Sequence, residues 1–296
     1  MSLETDESRF ESPPSLFMPH YRRLWAGRRG LWASILSTAL ILGGIVAIFY
    51  LAPGGASVRY FFFNPREMWA AFIGDPAHGI SSVGLGLLTN IWMFLVAEVL
   101  VLVFGLLIAW TRISRSPVLL PFRLLATIYT DIFRGIPILL VVFMVGFGVP
   151  GLRLGFISNQ SLAVYGCSAL VITYSAYVAE VFRAGIYSVP HGQLLAARSL
   201  GLTYSTTMRR VILPQAVRTV IPPLLNDFIS LQKDTALVSV LGAVEATQAA
   251  NIFQSANFNS SGYVVASLLF LALTIPMTRF TDHLIARDRT RRLAST

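Results

Sequence analysis

The chain has 296 residues, of which 12% are charged and 55% are hydrophobic. An ordinary soluble domain has about 25% charged residues. This composition therefore excludes an ordinary soluble protein and favours a membrane protein. The formal net charge of +9 would suggest a nucleic-acid partner in a soluble protein, whereas in a membrane protein it more often comes from the loops.

Apolar runs long enough to cross a bilayer recur along the chain and predict six membrane spans. The first is uncharged over 22 residues, which is too long for the apolar region of a signal peptide, so we expect a retained helix. The fifth contains Pro222 and Pro223, which predict a broken span. The expected fold class is therefore an all-α membrane protein with about six transmembrane helices. The six runs are 31–52, 86–110, 135–152 with a start near Phe122, 154–179, 218–240 and 261–278.

The distribution of lysine and arginine predicts the orientation of these spans. Under the six-span arrangement, 18 of the 23 basic residues lie on the side that holds both termini, and three lie on the other side. Basic residues concentrate in cytoplasmic loops, so we expect both termini in the cytoplasm and no nucleic-acid partner. The expected divisions are a cytoplasmic tail (1–30), a first helix (31–52), an extracytoplasmic loop (53–80), a core (81–285) with a cytoplasmic segment (185–218), and a cytoplasmic tail (286–296).

The cytoplasmic segment 185–218 contains residues typical of the starts and ends of two short amphipathic helices. Pro190 is placed to begin the first helix, and Gly201 to end it in a left-handed conformation. The second helix is expected to start at Thr203 or Ser205 and to end at Pro214. Its apolar face has two open interpretations, a lid over the spans of the same chain or a docking element for a partner.

A resemblance to a known family favours docking. Residues 195–197 have the sequence Leu-Ala-Ala, Gly201 follows four residues later, and 211–214 is Val-Ile-Leu-Pro. This spacing resembles the EAA loop of permease subunits of ATP-binding cassette (ABC) importers, which is E-A-A, three residues, G, nine residues, I-x-L-P. Leu195 stands where the family usually has glutamate. Stretches at 134–137, 176–183, 192–193, 199–201, 213–216 and 233–237 are similar to the polar amino-acid branch, of the histidine/glutamine permease type.

The resemblance covers about residues 82–285 and implies a five-helix type I importer core with one extra N-terminal helix. It implies a multi-pass protein of a prokaryotic plasma membrane that moves a polar amino acid into the cytoplasm. The implied partners are an ATPase subunit, an extracytoplasmic solute-binding protein, a second permease (the same chain or a paralogue) and membrane lipid. The implied docking residues for the ATPase are Leu195, Ala196, Ala197, Ser199, Leu200, Gly201, Leu213 and Pro214.

Residue chemistry agrees that ATP is used elsewhere. A Walker A loop needs a lysine after glycine, and the only lysine here, Lys233, follows Gln232. The energy source is therefore expected to be another chain or an ion gradient, and the resemblance implies that ATP and Mg²⁺ are used by a partner ATPase. We expect this chain to bind no cofactor and no metal and to contain no catalytic residue. An ion-coupled secondary amino-acid transporter is the alternative from another class.

Polar and charged residues within the spans are candidates for the substrate pathway, because a charge near the bilayer centre is costly. Lys233 is expected to bind the carboxylate of an amino acid, and Asn226 with Asp227 its ammonium group. Two structural alternatives remain open: Asp131 with Arg134 and Glu180 with Arg183 have i, i+3 spacing, and Glu98 either lines the pathway or pairs with Lys233. The candidates are Glu98, Asp131, Arg134, Asn226, Asp227, Lys233, Asp234 and Thr235.

Overall fold

A computed structural model describes residues 28–114 and 116–293. The predicted tail 1–30 lies outside these residues except for its last three positions, as do residues 294–296 of the predicted C-terminal tail. The chain forms two compact units, Met1–Arg59 and Tyr60–Thr296. Within the described ranges the structure is helical and contains no β-strand beyond an isolated bridge between Asp75 and Ile80.

The first unit contains helix α1 (Arg28–Leu51), whose span Leu31–Leu51 is apolar and almost entirely exposed. After this helix, the Arg59 guanidinium lies 4.4 Å from the centroid of the Tyr50 ring and donates a hydrogen bond to the carbonyl of Phe49. The predicted loop 53–80 is largely helical rather than irregular. It contains α2 (Gly55–Phe62), α3 (Pro65–Ile73) and a 3₁₀ turn at Pro76–His78.

The second unit contains the long helices that form the core, together with two short helices in the segment 185–218. Their bounds are α4 (Val83–Ile113), α5 (Leu120–Gly135), α6 (Ile138–Gly151), α7 (Leu162–Tyr187), α8 (His191–Ser199), α9 (Tyr204–Thr207), α10 (Leu213–Asp234), α11 (Ala246–Asn257) and α12 (Ser261–Leu293).

Within the described residues, four helices are long and apolar enough to cross a membrane singly, and counting each of two bent pairs as one span raises the number to six. The four are α1, α4, α7 and α12. One bent pair is α5 with α6, which meet at 109° around Ile136 and Pro137. The other runs from α9 to the 3₁₀ turn Thr235–Leu241 and then bends by 44° into α11. The number of predicted spans is matched when each bent pair counts as one span.

The predicted break at Pro222 and Pro223 is wrong, because α10 passes through both prolines as one helix. Proline is tolerated inside a membrane helix where neighbouring elements support the backbone that loses its hydrogen bonds. Here α10 packs along α7 on one side and α12 on another. The irregular segments lie at its two ends instead, as a π-helical turn at Met208–Ile212 and the 3₁₀ turn Thr235–Leu241.

Helix α7 is the centre of this unit. In its most apolar stretch 67% of residues are buried, against 28% or less in the other three single spans. It packs most extensively against α4, where Gly105 permits the approach: a Cβ added to Gly105 would lie 2.6 Å from Val178 Cγ1. Small residues at such contacts allow membrane helices to pack closely without a hydrophobic driving force.

A buried polar network joins α4 to the bend after α10. The Asn90 side chain donates hydrogen bonds to Glu245 Oε2 (2.8 Å) and Thr235 Oγ1 (3.1 Å), and its Oδ1 accepts from the backbone of Ala246 (3.0 Å). Glu245 is fully buried and caps α11 by accepting from the backbone of Thr247 and Gln248. The network therefore satisfies a helix end and a carboxyl group away from water.

We expect Asn90→Leu to destabilise the protein by about 1–3 kcal/mol, because it leaves the buried Ala246 amide without its partner and removes one of the hydrogen bonds to the Glu245 carboxyl group. The apparent melting temperature of the detergent-solubilised chain measures this effect. Asn251→Leu on the exposed surface of α11 is the matched control and should leave the melting temperature nearly unchanged. Equal melting temperatures for the two variants would contradict the assigned role of the network.

Candidate functional site

The segment 185–218 has the predicted local backbone geometry at most positions. Helix α8 begins after Pro190, and Gly201 adopts a left-handed conformation with φ of +79°. The Thr203 side chain caps α9 by accepting from the backbone of Thr206 at 3.3 Å. These three predictions are confirmed. The predicted end of the second helix at Pro214 is wrong, because Pro214 lies in the first turn of α10, where proline is compatible with a helix.

The EAA loop presents apolar side chains to its surroundings. Leu200 is 82% exposed and Leu195 is 56% exposed, whereas Ala197 and Ile212 are buried. Ala196, Ser199, Gly201, Leu213 and Pro214 are also exposed. An exposed apolar surface of this kind on a loop, rather than on a membrane span, indicates a surface that another protein covers.

Hydrogen bonds hold the two arms of the loop together. The Gln215 side chain donates to the Gln193 side-chain oxygen, joining α10 to α8, and also to the carbonyl of Val211 at 2.8 Å. The backbone amide of Leu202 donates to the carbonyl of Ala197 at 3.2 Å, which closes the turn around Gly201. The loop is therefore braced against the start of α10, so a displacement of the loop also displaces that helix.

A cluster of arginines surrounds Glu180 near the same end of the bundle. Arg112 Nη1 of α4 lies 2.8 Å from Glu180 Oε2, and Arg183 Nη2 lies 2.5 Å from Oε1. Arg134 of α5 is 3.7 Å from Oε2. One carboxylate thus connects the ends of α4, α5 and α7, and the predicted Glu180–Arg183 pair is confirmed.

The predicted pair between Asp131 and Arg134 is not among the ion pairs of the described residues. Arg134 turns toward Glu180, and Asp131 is exposed. The i, i+3 spacing places both side chains on one helix face, but a carboxylate on the neighbouring helix already carries two other arginines. The long-range partner therefore determines where Arg134 points. Glu98 likewise forms no ion pair with Lys233 in the part of the chain that the structure describes, and Lys233 is exposed.

A cleft of about 370 Å³ opens between α5, α7 and α10. Arg134, Glu180, Tyr177, Ser188, Thr219 and Asp227 line it together with apolar residues. We call it the α5–α7–α10 cleft. One carboxylate oxygen of Asp227, Oδ2, is buried and has no hydrogen-bond partner among the described residues. The cleft therefore combines a guanidinium group with a carboxyl group that has an unused acceptor.

The other candidate residues are distributed around α10 rather than collected in this cleft. Asn226 and Lys233 are exposed on a different face from Asp227. Asp234 accepts a hydrogen bond from the Tyr174 hydroxyl at 2.7 Å, and Thr235 is buried in the Asn90 network. Glu98 lines a separate, mostly apolar cavity of about 330 Å³ between α4, α10 and α12.

Two structural anchors were absent from the sequence-based candidates: the Asn90–Glu245 network and Arg112 as a partner of Glu180. A single asparagine within the apolar run of α4 is itself a signal, because an isolated polar side chain in a span needs a buried partner. Glu245 stands immediately before α11, which is the position of an N-cap. Arg112 carries no comparable local signal, since its partner is 68 residues away.

Comparisons with known proteins agree with this geometry. Residues 102–290 match the family described as "Binding-protein-dependent transport system inner membrane component". The chain is 40% identical over 186 residues to the probable glutamine ABC transporter permease protein GlnM of Bacillus subtilis (strain 168), covering 62% of this chain and 83% of that relative. It is 34% identical over 194 residues to the arginine transport system permease protein ArtQ of the same organism, covering 65% of this chain and 86% of that relative.

Solved structures show the same fold. A crystal structure of an amino acid ABC transporter with histidines matches with a TM-score of 0.64 and 33% identity, over 69% of this chain and 93% of that chain. An inward-facing structure of the MetNI methionine ABC transporter matches with a TM-score of 0.58 over 73% of this chain and 99% of that chain. Because the sequence identity is 18%, this match supports the fold alone.

The chain therefore belongs to the family of inner-membrane components of binding-protein-dependent transport systems. The matching relatives and structures are permease subunits of ABC transporters, which makes this chain a transport subunit rather than an enzyme. The EAA-loop resemblance is thus confirmed at the level of family. The ion-coupled alternative is set aside, because the relatives are not secondary transporters.

Glu180→Gln tests whether one carboxylate holds the three helix ends. We expect the substitution to lower stability by about 3 kcal/mol, because it leaves Arg112, with a side chain only 10% exposed, without its countercharge. The apparent melting temperature in detergent reports the loss. Asp282→Asn on the exposed surface of α12 is the control. A melting temperature for Glu180→Gln equal to that of the control would show that the cluster contributes little.

Proposed function

We propose that this chain is the permease subunit of an ATP-driven importer that moves a polar amino acid into the cytoplasm. The exposed leucines of the braced EAA loop carry this proposal, because they form an apolar surface at the start of a helix that reaches the α5–α7–α10 cleft. Docking of an ATPase subunit on this surface would connect ATP hydrolysis to the movement of α10. Both termini and the loop would then lie in the cytoplasm, in agreement with the distribution of basic residues.

The remaining machinery is supplied by other chains. We propose that ATP and Mg²⁺ bind to the ATPase, that a solute-binding protein delivers the amino acid from outside, and that a second permease subunit completes the membrane channel. Support comes from the family match to binding-protein-dependent systems and from the names of the relatives, which include a glutamine and an arginine permease. The spans then alternate between outward-open and inward-open states.

Leu195 distinguishes this loop from the usual EAA sequence. With leucine in place of glutamate, the loop has no carboxylate at this position, so we propose that docking here depends on apolar contact through Leu195 and Leu200. Ala197 between them is buried, and Gly201, with its left-handed backbone, ends α8 directly after Leu200.

We expect Leu200→Asp to abolish uptake and co-purification of the ATPase while the chain still inserts into the membrane. A carboxylate at the centre of an apolar contact would be desolvated without a partner. Leu154→Asp places the same charge on an exposed leucine between α6 and α7 and should retain the ATPase. Affinity purification through a tag on the permease measures both, and an ATPase still present at full stoichiometry with Leu200→Asp would refute the docking surface.

The α5–α7–α10 cleft has the chemistry to bind the amino-acid backbone. A zwitterion needs a donor for its carboxylate and an acceptor for its ammonium group. Arg134 is one of the donors in the cleft, and its ion pair with Glu180 is the longest in the cluster. Asp227 has a buried oxygen without a partner. We propose that these two residues hold the carboxylate and the ammonium group, respectively, and that Lys233 and Asn226 lie outside the binding site.

Asp227→Asn tests this assignment. Loss of one charge-assisted hydrogen bond costs about 1.5–3 kcal/mol, so we expect the apparent KM for uptake to rise roughly 10- to 150-fold. The measurement is uptake of labelled amino acid into proteoliposomes that contain the complete transporter, normalised to permease content. Lys233→Gln, exposed on another face of α10, is the control and should leave KM unchanged. The reverse pattern would place the site at Lys233.

A further inference from the structure

A third cavity, of about 530 Å³, lies where the EAA loop meets the spans. Leu106 and Trp110 of α4, Phe182 of α7, Tyr204 and Met208 at the end of the loop, and Val217 of α10 form its walls with further residues. We call it the loop cavity. Its volume falls within the roughly 300–1,000 Å³ of pockets that hold small molecules. Its walls include residues of the loop and α10, which the proposed mechanism moves, and residues of α4 and α7 in the core.

The lining of the loop cavity excludes a polar amino acid as its ligand. Among the lining residues only Ser114, Tyr204 and the indole N–H of Trp110 offer a polar side-chain group, and none is charged. The α5–α7–α10 cleft, by contrast, contains both an arginine and an aspartate. The loop cavity is therefore suited to a hydrocarbon, such as the acyl chain of a lipid.

The aromatic residues around the loop cavity indicate its depth in the membrane. Trp110 is 63% exposed and Tyr204 is 56% exposed, and both rings line the cavity. Exposed tryptophan and tyrosine concentrate where the hydrocarbon core meets the headgroups. A lipid at this level would place its tail inside the cavity and its headgroup at the surface.

Three arginines adjoin residues that line the loop cavity, one by a hydrogen bond and two by their position in the chain. Arg123 donates to the backbone oxygen of Ser114, a lining residue, at 3.1 Å, which holds its guanidinium at the edge of the cavity. Arg209 and Arg210 are exposed and directly follow Met208 of the cavity wall. In the described residues none of these three arginines forms an ion pair with an acidic side chain. The charges complement a phosphate, which arginine binds through paired N–H donors.

We propose that the loop cavity binds one acyl chain of an anionic phospholipid of the cytoplasmic leaflet, with its headgroup at Arg123, Arg209 and Arg210. The lipid would fill the space between the end of the EAA loop and helices α4 and α7, and thereby support the loop from the membrane side. This site goes beyond the proposed import function and does not depend on which solute is carried.

Native mass spectrometry of the purified chain tests the site directly. The chain is stripped of lipid in detergent and titrated with phosphatidylglycerol or phosphatidylcholine of identical acyl chains. We expect tighter binding of phosphatidylglycerol. Val217→Trp fills the cavity and should remove this high-affinity binding, whereas Val103→Trp, an exposed position of α4 outside the cavity, should retain it.

A second variant leaves the cavity intact and removes charge from its rim. The double substitution Arg209→Gln with Arg210→Gln should weaken phosphatidylglycerol binding about tenfold or more and weaken phosphatidylcholine binding less, because the choline cation of phosphatidylcholine offsets the charge of its phosphate. Equal affinity for the two lipids in the unmodified chain, or unaltered binding in Val217→Trp, would overturn the proposal. A co-purifying protein lost in Val217→Trp, with no lipid affected, would assign the cavity to a protein partner and overturn it as well.

Discussion

Within a bilayer, every polar group of the backbone and side chains must find its partner inside the protein, and this constraint organises the present structure. Two carboxyl groups, Glu180 and Glu245, satisfy this constraint through partners inside the protein. Glu180 gathers arginines from α4, α5 and α7, and Glu245 caps α11 while bonded to Asn90 of α4. Helix α4 takes part in both, so its long apolar body is fixed at each end by a polar contact that lipid cannot replace.

Local features of the sequence predicted local features of the structure. The left-handed Gly201, the Thr203 cap and the short helix after Pro190 each depend on a few neighbouring residues. The ion pairs were less predictable because their partners are far apart in the chain: the contact between Arg112 and Glu180 spans 68 residues. Likewise, Pro222 and Pro223 favour a break in isolation, and only the packing of α10 between its neighbours explains why the helix continues.

The candidate substrate residues illustrate the same limit. Spacing along α10 separates Asn226 and Lys233 from Asp227, but it does not indicate which face turns toward α7. The structure places the face with Asp227 at the cleft, opposite Arg134 from a different span. The charge pattern within one helix therefore suggested a type of chemistry, a donor and an acceptor for a zwitterion, while the donor that we propose, Arg134, lies on another element of the fold.

The continuity of α10 has a mechanical consequence. From Leu213 to Asp227 the helix rises about 21 Å, so a tilt of about 5° at the loop would displace the carboxyl group by about 2 Å. A rigid rod thus amplifies a small rotation into a shift comparable with the reach of a hydrogen bond. Two consecutive prolines lie in this rod at residues 222 and 223, where missing backbone donors soften the helix just before Asp227. The helix can therefore bend at these prolines, and any such bending would reduce the displacement of Asp227 below that of a rigid helix.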